Sequence, residues 1–91
     1  MTVHIHIPSS LRESTEQQSQ VDVSAATVGA AVRQLVDNYP GLDGKLLSAS
    51  GELHSFVNVF VGERNIRDMQ GLATDLTSGQ TLLIVPALAG G

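Results

Sequence analysis

The feature that most constrains the fold is a single segment in which apolar residues recur with helical spacing. It begins after Thr27, a residue type suited to an N-cap, and stops at Pro40-Gly41, which cannot continue a helix. Its apolar stripe consists of Val28, Ala31, Val32, Leu35, Val36 and Tyr39. The spacing predicts one amphipathic helix of about 12 residues, and we expect the rest of the chain to pack against it.

Strand patterns precede and follow this helix. Apolar and polar residues alternate over Met1–Ile7 and Gln20–Ser24, which predicts a hairpin with a long loop. Phe56–Val61 is the richest β-forming stretch, and Thr81–Val85 is the final strand. The segments between these elements are predicted to be a loop over 9–20, a turn over 42–47, an edge strand over 65–67 and an irregular segment over 68–76.

One helix between strand pairs has one economical packing, a twisted sheet folded over one face of the helix. The first and last strands then lie side by side and parallel near the centre of the sheet. This is the β-grasp, or ubiquitin-like, arrangement of the α+β class, with a mixed sheet of about four to five strands. We predict a domain over residues 1–86 and an extended C-terminal tail over 87–91.

The composition of the chain after Val85 does not favour a strand or a helix. Pro86 cannot donate a ladder hydrogen bond, and glycine, present at Gly90 and Gly91, has the greatest backbone freedom of any residue type. When extended, the chain beyond Val85 reaches about 20 Å, enough to enter a narrow channel in a partner. Its only reactive group is the Gly91 carboxylate, which becomes an electrophile only after it receives a phosphoryl or adenylyl group. The tail therefore predicts a substrate for a nucleotide-using enzyme, and a frayed terminus is the alternative.

Composition excludes several classes of function. A chain of 91 residues makes one domain, and the absence of cysteine excludes disulfides, thiolate metal sites and a persulfide on the chain. Five basic and nine acidic residues give a net charge of −4 without a basic cluster, which argues against nucleic acid as a partner. No apolar run is long enough to cross a membrane, and Met1–His4 lacks the basic start of a signal peptide. We expect a cytoplasmic protein.

Several short motifs together carry a family resemblance. They are Phe56–Val61, Gly71-Leu72, Ser78–Thr81 and Ile84–Gly91. In combination they resemble the MoaD/ThiS family of ubiquitin-like sulfur carriers over essentially the whole chain. Within that family, Ile7-Pro8 and Leu11-Arg12 are similar to the branch that supplies sulfur for cysteine synthesis in actinobacteria.

The resemblance implies a protein co-substrate and not an enzyme. A ubiquitin-activating-like adenylyltransferase would use ATP and Mg to adenylate the Gly91 carboxylate, and sulfide or a persulfide would displace AMP to leave a thiocarboxylate. The carrier itself would bind no cofactor. Its sulfur would serve the synthesis of cysteine, molybdopterin, thiamin thiazole or a specialised metabolite. In the cysteine branch the acceptor would be an aminoacrylate on a PLP-dependent cysteine synthase, and a metalloprotease would release cysteine.

Two other functions share some of these features. A ubiquitin-like modifier would be conjugated to lysines through Gly91, and a plain β-grasp interaction module would not need Gly90 or Gly91 at all. No nucleophile motif, phosphate-binding glycine loop or pair of carboxylates with helical spacing supports independent catalysis.

The partner-binding residues predicted from the sequence lie in the tail and on the third strand. They are Pro86, Leu88, Ala89, Gly90, Phe56 and Phe60. The two phenylalanines would be exposed if the valines that alternate with them face the core, and the reverse orientation would place them in the core. Both orientations remain open at the level of sequence.

Other polar residues have competing interpretations. His4, His6 and His54 could chelate a metal, but a solvated strand face explains the first two equally well, and we predict no metal site. A second group of charged residues could contact an activating enzyme or simply be solvated turn residues: Arg64, Arg67 and Asp68. Lys45 is the only lysine, and we expect it to be solvated.

Overall fold

Five strands form one mixed sheet in the computed structural model, which describes residues 2–48, 50–54 and 57–86. The strands are β1 (Thr2–His6), β2 (Gln20–Ser24), β3 (Val57–Val61), β4 (Arg64–Asn65) and β5 (Thr81–Pro86). Their spatial order is β2-β1-β5-β3-β4, with β1 and β5 parallel and the other neighbours antiparallel. The α+β, β-grasp prediction is thus confirmed, including the central parallel pair.

Helix α1 (Val28–Asn38) packs on the inner face of this sheet. The Thr27 hydroxyl accepts a hydrogen bond from the Ala30 N–H at 3.2 Å, which confirms the predicted N-cap. Val28, Ala31, Val32 and Leu35 are buried, so most of the predicted apolar stripe faces the core. No helix within the described ranges is long and apolar enough to cross a membrane.

The inward residues of the strands complete the core. Alternation places one side chain in two on this face, as the sequence predicts. The buried strand residues are Val3, Ile5, Val21, Val23, Val57, Val59, Val61, Leu82 and Ile84. Leu42, Leu46, Ile66 and Leu76 close the core from the connections between elements.

Two predictions for the connections are wrong. The polar segment 9–20 is not all loop, because residues Ser9–Thr15 form a 3₁₀ helix whose Thr15 side chain is fully buried. The Thr15 hydroxyl lies 3.0 Å from the Gln18 carbonyl and 3.3 Å from the Arg12 carbonyl, so the side chain satisfies its polar atom locally.

The predicted edge strand over 65–67 is also displaced. Strand β4 ends at Asn65, because the Asn65 side chain accepts a hydrogen bond from the Arg67 N–H at 2.9 Å and starts a 3₁₀ helix over Ile66–Asp68. Another 3₁₀ turn, Gly71–Ala73, lies within the segment that was predicted to be irregular. The predicted tail, residues 87–91, lies outside the described residues.

Candidate docking face beside the C-terminal strand

Strand β5 presents apolar side chains to solvent as well as to the core. Leu82 and Ile84 are buried, whereas Leu83 is 43% exposed and Val85 is 38% exposed. They are the exposed large hydrophobic residues found within the described part of the chain. A solvated sheet face normally carries polar residues at such positions, so this outer face is a candidate interaction surface.

Phe60 extends this apolar surface onto the neighbouring strand. It lies directly opposite Leu83 in the β3–β5 ladder, on the outer face, and is half-buried. Val57, Val59 and Val61 point inward and are buried, which decides the orientation that the sequence left open. The other predicted aromatic residue, Phe56, lies outside the described residues.

We define the docking face as Phe60, Leu83 and Val85. Pro86, the last described residue, is half-buried and pairs with the inward Val57, so strand parity places it on the opposite face, next to Val85. The docking face therefore adjoins the point where residues 87–91 begin. Of these three residues, only Phe60 was predicted from the sequence as a partner-binding residue, and Leu83 and Val85 were not. Strand parity places them outward once the sheet shows that Leu82 and Ile84 face the core.

The remaining predicted site residues belong to the tail. Leu88, Ala89, Gly90 and Gly91 lie outside the described residues, and their roles stay predictions. Pro86 ends β5 directly after the exposed Val85, and its predicted role in partner binding stays a prediction.

His4 and His54 make separate contacts. His4 Nδ1 lies 2.7 Å from Asp22 Oδ1, and Gln20 Nε2 also contacts that carboxylate at 3.1 Å. The hydrogen bonds from His4 and Gln20 lower the pKa of Asp22 below its ordinary value. His54 Nε2 instead lies 2.8 Å from the Gly44 carbonyl. Within the described ranges, no three His, Asp or Glu side chains come close enough together to hold a metal ion.

Arg64, Arg67 and Lys45 are all exposed but differ in their hydrogen bonds. The Arg67 side chain bonds within the chain, because its Nη2 donates to the Val57 carbonyl at 2.8 Å and to the His54 carbonyl at 2.9 Å. Lys45 is exposed and donates to Ser14 Oγ at 2.9 Å. Arg64 is exposed on the edge strand, at the side of the sheet away from β1.

The sheet order, the single packed helix and the apolar outer face beside the C-terminal strand define a protein of the ubiquitin-like, β-grasp class. The comparison with known proteins narrows this class. The chain belongs to the ThiS family, whose model matches residues 5–91.

The similar proteins include sulfur carriers and small archaeal modifiers. Sulfur carrier protein CysO of Mycobacterium tuberculosis is 41% identical over 93 residues, with 100% of both chains covered. Small archaeal modifier protein 3 of Haloferax volcanii is 35% identical over 94 residues, again with 100% of both chains covered. A chain in the crystal structure of the Amycolatopsis orientalis BexX/CysO complex has a TM-score of 0.89 and 34% identity, covering 98% of this chain and 99% of that chain. The resemblance predicted from the sequence, including the likeness to the cysteine-synthesis branch, is confirmed.

Proposed function

We propose that the protein is a sulfur carrier that holds sulfur as a thiocarboxylate on Gly91. The observation that carries the proposal is the match of the whole chain to ThiS-family proteins, among them a named sulfur carrier at 41% identity. The chemistry of the sequence supports it, because a chain without cysteine has no thiol on which sulfur could be held. The protein is accordingly a co-substrate, and partner enzymes supply the catalysis.

The loading reaction has two steps. In the first, a carboxylate oxygen of Gly91 attacks the α-phosphorus of ATP, and pyrophosphate leaves with Mg²⁺ supplied by the activating enzyme. In the second, hydrosulfide attacks the acyl carbon, the bond to the AMP oxygen breaks, and a proton is released as the thiocarboxylate forms. Activation is required because a carboxylate is a poor acyl donor and its adenylate is a good one. The use of ATP supports a cytoplasmic location.

The docking face is the surface that we assign to the activating enzyme. Leu83 and Val85 lie on the strand that leads directly into the tail, so an enzyme that covers them holds residues 87–91 close to its own active site. An apolar patch with a polar surround is the usual composition of an interface core. The existence of a solved complex of a similar protein, BexX/CysO, supports recognition of this fold by a protein partner.

Delivery of sulfur requires a second enzyme. The likeness to the cysteine-synthesis branch supports an aminoacrylate on a PLP-dependent synthase as the acceptor. The thiocarboxylate sulfur would bond to the β-carbon of that aminoacrylate while the α-carbon takes up a proton. A metalloprotease would then hydrolyse the bond between the cysteine and Gly91, consuming water, releasing cysteine and restoring the Gly91 carboxylate. The carrier binds neither PLP nor the metal in this scheme.

Intact-mass spectrometry tests the proposed function. The full chain is incubated with its cognate ubiquitin-activating-like adenylyltransferase, MgATP and sulfide, and the expected product is a chain in which one oxygen has been replaced by sulfur. The matched control is the same chain with its C-terminus amidated, which keeps every residue and removes only the carboxylate. A carrier whose mass stays unchanged under conditions in which the enzyme turns over ATP would overturn the proposal.

A protein modifier is the second candidate, favoured by the 35% identity to small archaeal modifier protein 3. Both functions share adenylation at Gly91 and differ in the next nucleophile. Omission of sulfide, with lysine-containing proteins present, distinguishes them. A modifier forms conjugates that have lost one water per linkage, whereas a carrier accumulates as the adenylate or returns to the free acid.

A further inference from the structure

The two central strands separate at their C-terminal ends because of two prolines. In the parallel register, His4 lies beside Thr81 and His6 beside Leu83, and the His4 N–H donates to the Gln80 carbonyl at 2.9 Å. Continuing this pattern, the next donor to the Ile84 carbonyl would be residue 8, which is proline and has no N–H. The ladder therefore stops there.

The second proline ends the ladder from the other strand. Pro86 would be the next residue of β5 to donate towards β1, and it also lacks an N–H. Pro8 does not leave its own carbonyl unpaired, because that carbonyl accepts the Leu11 N–H at 2.9 Å. A groove of about 360 Å³ opens where the strands part, and both prolines line it. We call it the β1–β5 groove.

Arg12 provides the permanent positive charge in the lining of this groove. The lining contains Arg12, His6, Gln20 and Ser19 but no Asp or Glu among the described residues. Within the described part of the chain, no carboxylate lies within ion-pair distance of the Arg12 guanidinium. The lining thus carries a positive charge although the net charge of the chain is −4, and the groove lies beside Pro86, where the tail begins.

The Arg12 side chain is held in position with most of its donors available. Its Nε donates to the Ile7 carbonyl at 3.2 Å, and its backbone carbonyl accepts the Gln17 N–H at 2.8 Å. Among the described residues, its two Nη groups have no hydrogen-bond partner. A half-buried guanidinium fixed through Nε presents the planar pair of donors that binds a carboxylate with two hydrogen bonds.

We propose that the β1–β5 groove receives an acidic side chain of the activating enzyme, with Arg12 as the residue that recognises its carboxylate. This inference rests on the proposed function and names the chemistry of the partner at one position beside the tail. The docking face supplies apolar contact area, and the groove supplies a directional contact that sets the orientation of the carrier. Orientation matters because the tail must enter one channel.

Steady-state kinetics of adenylation test this contact. Initial rates of pyrophosphate release by the cognate adenylyltransferase are measured against carrier concentration for the wild-type chain, Arg12→Gln and Arg12→Lys. We expect Arg12→Gln to raise KM for the carrier about tenfold, the loss associated with one charge-assisted hydrogen-bonded pair, with kcat within about twofold. The KM of Arg12→Lys should lie between those of the wild-type chain and Arg12→Gln, because lysine keeps the charge but lacks the planar pair of donors.

The matched control is Arg33→Gln, which changes the net charge by the same amount on an exposed position of α1, away from the groove. Its KM should stay within about twofold of wild type, consistent with the small effect of a remote surface charge. Equal KM values for Arg12→Gln and Arg33→Gln would overturn the inference, and so would a loss confined to kcat.

Two further measurements keep the outcomes separate. Thermal unfolding shows whether Arg12→Gln is folded. If this variant is unfolded, Arg12→Lys replaces it in the comparison of KM values. The second measurement is the KM of the wild-type chain at increasing salt concentration, which should rise. A KM of the wild-type chain that does not respond to salt contradicts the groove contact. A wild-type chain that is never adenylated overturns the proposed function itself, whereas normal adenylation with an unaffected Arg12→Gln overturns only the groove.

Discussion

The Arg67 side chain connects the 3₁₀ helix after β4 to the segment that leads into β3. Its Nη2 reaches the carbonyls of His54 and Val57, and its Nε lies 3.3 Å from Asn58 Oδ1. Each contact joins a cation to a neutral oxygen, which is stronger than a neutral pair. A charged turn residue thus organises the start of a core strand, although it is exposed to solvent.

Replacing Arg67 with methionine tests this structural role. We expect Arg67→Met to lower the free energy of unfolding by about 1–2 kcal/mol, because the carbonyl groups lose a charged donor. Urea denaturation measures the change. Arg64→Met is the control, since no side-chain partner of Arg64 is found within the described residues, and it should stay within about 0.5 kcal/mol of wild type. Equal losses in both variants would contradict the assignment.

Asp22 gives the fold a pH dependence at the acidic end. Hydrogen bonds from His4 and Gln20 lower its pKa in the folded state, so the carboxylate form is favoured by folding. Stability from this contact is therefore fully present above the ordinary pKa of the group and is lost as the pH falls through the lower, folded-state pKa. The relevant window lies below about pH 4.

The comparison of Asp22→Asn with wild type isolates this contribution. We expect the wild-type chain to be the more stable at pH 6, and the difference to shrink as the pH is lowered through the acidic window. Urea midpoints at a series of pH values provide the measurement. The control is His4→Gln, which removes the first cause of the lowered pKa and should flatten the pH dependence while Asp22 is retained. A wild-type advantage that stays constant down to the lowest pH would refute this account.

At the scale of elements, helix α1 depends on a short cap. Thr27 satisfies the Ala30 N–H, one of the donors that the first helical turn leaves without a partner in the helix. We expect Thr27→Ala to cost about 1 kcal/mol in the free energy of unfolding, as measured by thermal or urea denaturation. Thr27→Ser keeps the hydroxyl and should restore most of that loss. If serine and alanine are equally destabilising, the β-branch and not the cap is the source of the effect.

The elements predicted best from the sequence are those with an unbroken period. Strand β2 and helix α1 agree with their predicted bounds within one residue, because alternation and the helical stripe are each uninterrupted there. The 3₁₀ helix over Ser9–Thr15 escaped prediction because Leu11 is its only apolar anchor. The Thr15 hydroxyl bonds to local carbonyl groups, and the helix ends where Glu16 and Gln17 adopt left-handed backbone, features that carry no periodic signal.

The candidate site was predicted only in part, for a related reason. Thr81–Val85 is apolar at nearly every position, so the sequence of β5 does not itself reveal which side chains reach solvent. Its pairing with β1 and β3 on both sides fixes the faces, and that pairing is a property of the assembled sheet. The β1–β5 groove is equally dependent on assembly, because Pro8 and Pro86 are far apart in sequence and come together only in the lining of the groove.

For the molecule as a whole, the proposed function gives the two faces of the sheet different roles. The inner face holds α1 and the core, so substitutions there act on stability. The outer face carries Leu83 and Val85 in the open, so substitutions there should act on binding. The predicted tail would add reach, since five residues span about 16 Å when they are extended.

Leu83→Gln tests this division of tasks. Leu83 is 43% exposed, so its replacement should leave the unfolding midpoint within about 0.5 kcal/mol of wild type. The few interface residues that contribute more than 1 kcal/mol cluster near the centre of the interface, where we place Leu83, so we expect affinity for the adenylyltransferase to fall about tenfold. Isothermal titration calorimetry with a non-hydrolysable ATP analogue measures binding apart from chemistry. The control is Thr81→Gln, on the same strand and face but two positions further from Pro86. The affinity of Thr81→Gln for the adenylyltransferase should match that of the wild-type chain. An equal loss of affinity in Thr81→Gln and Leu83→Gln would show that the enzyme does not bind the docking face at Leu83.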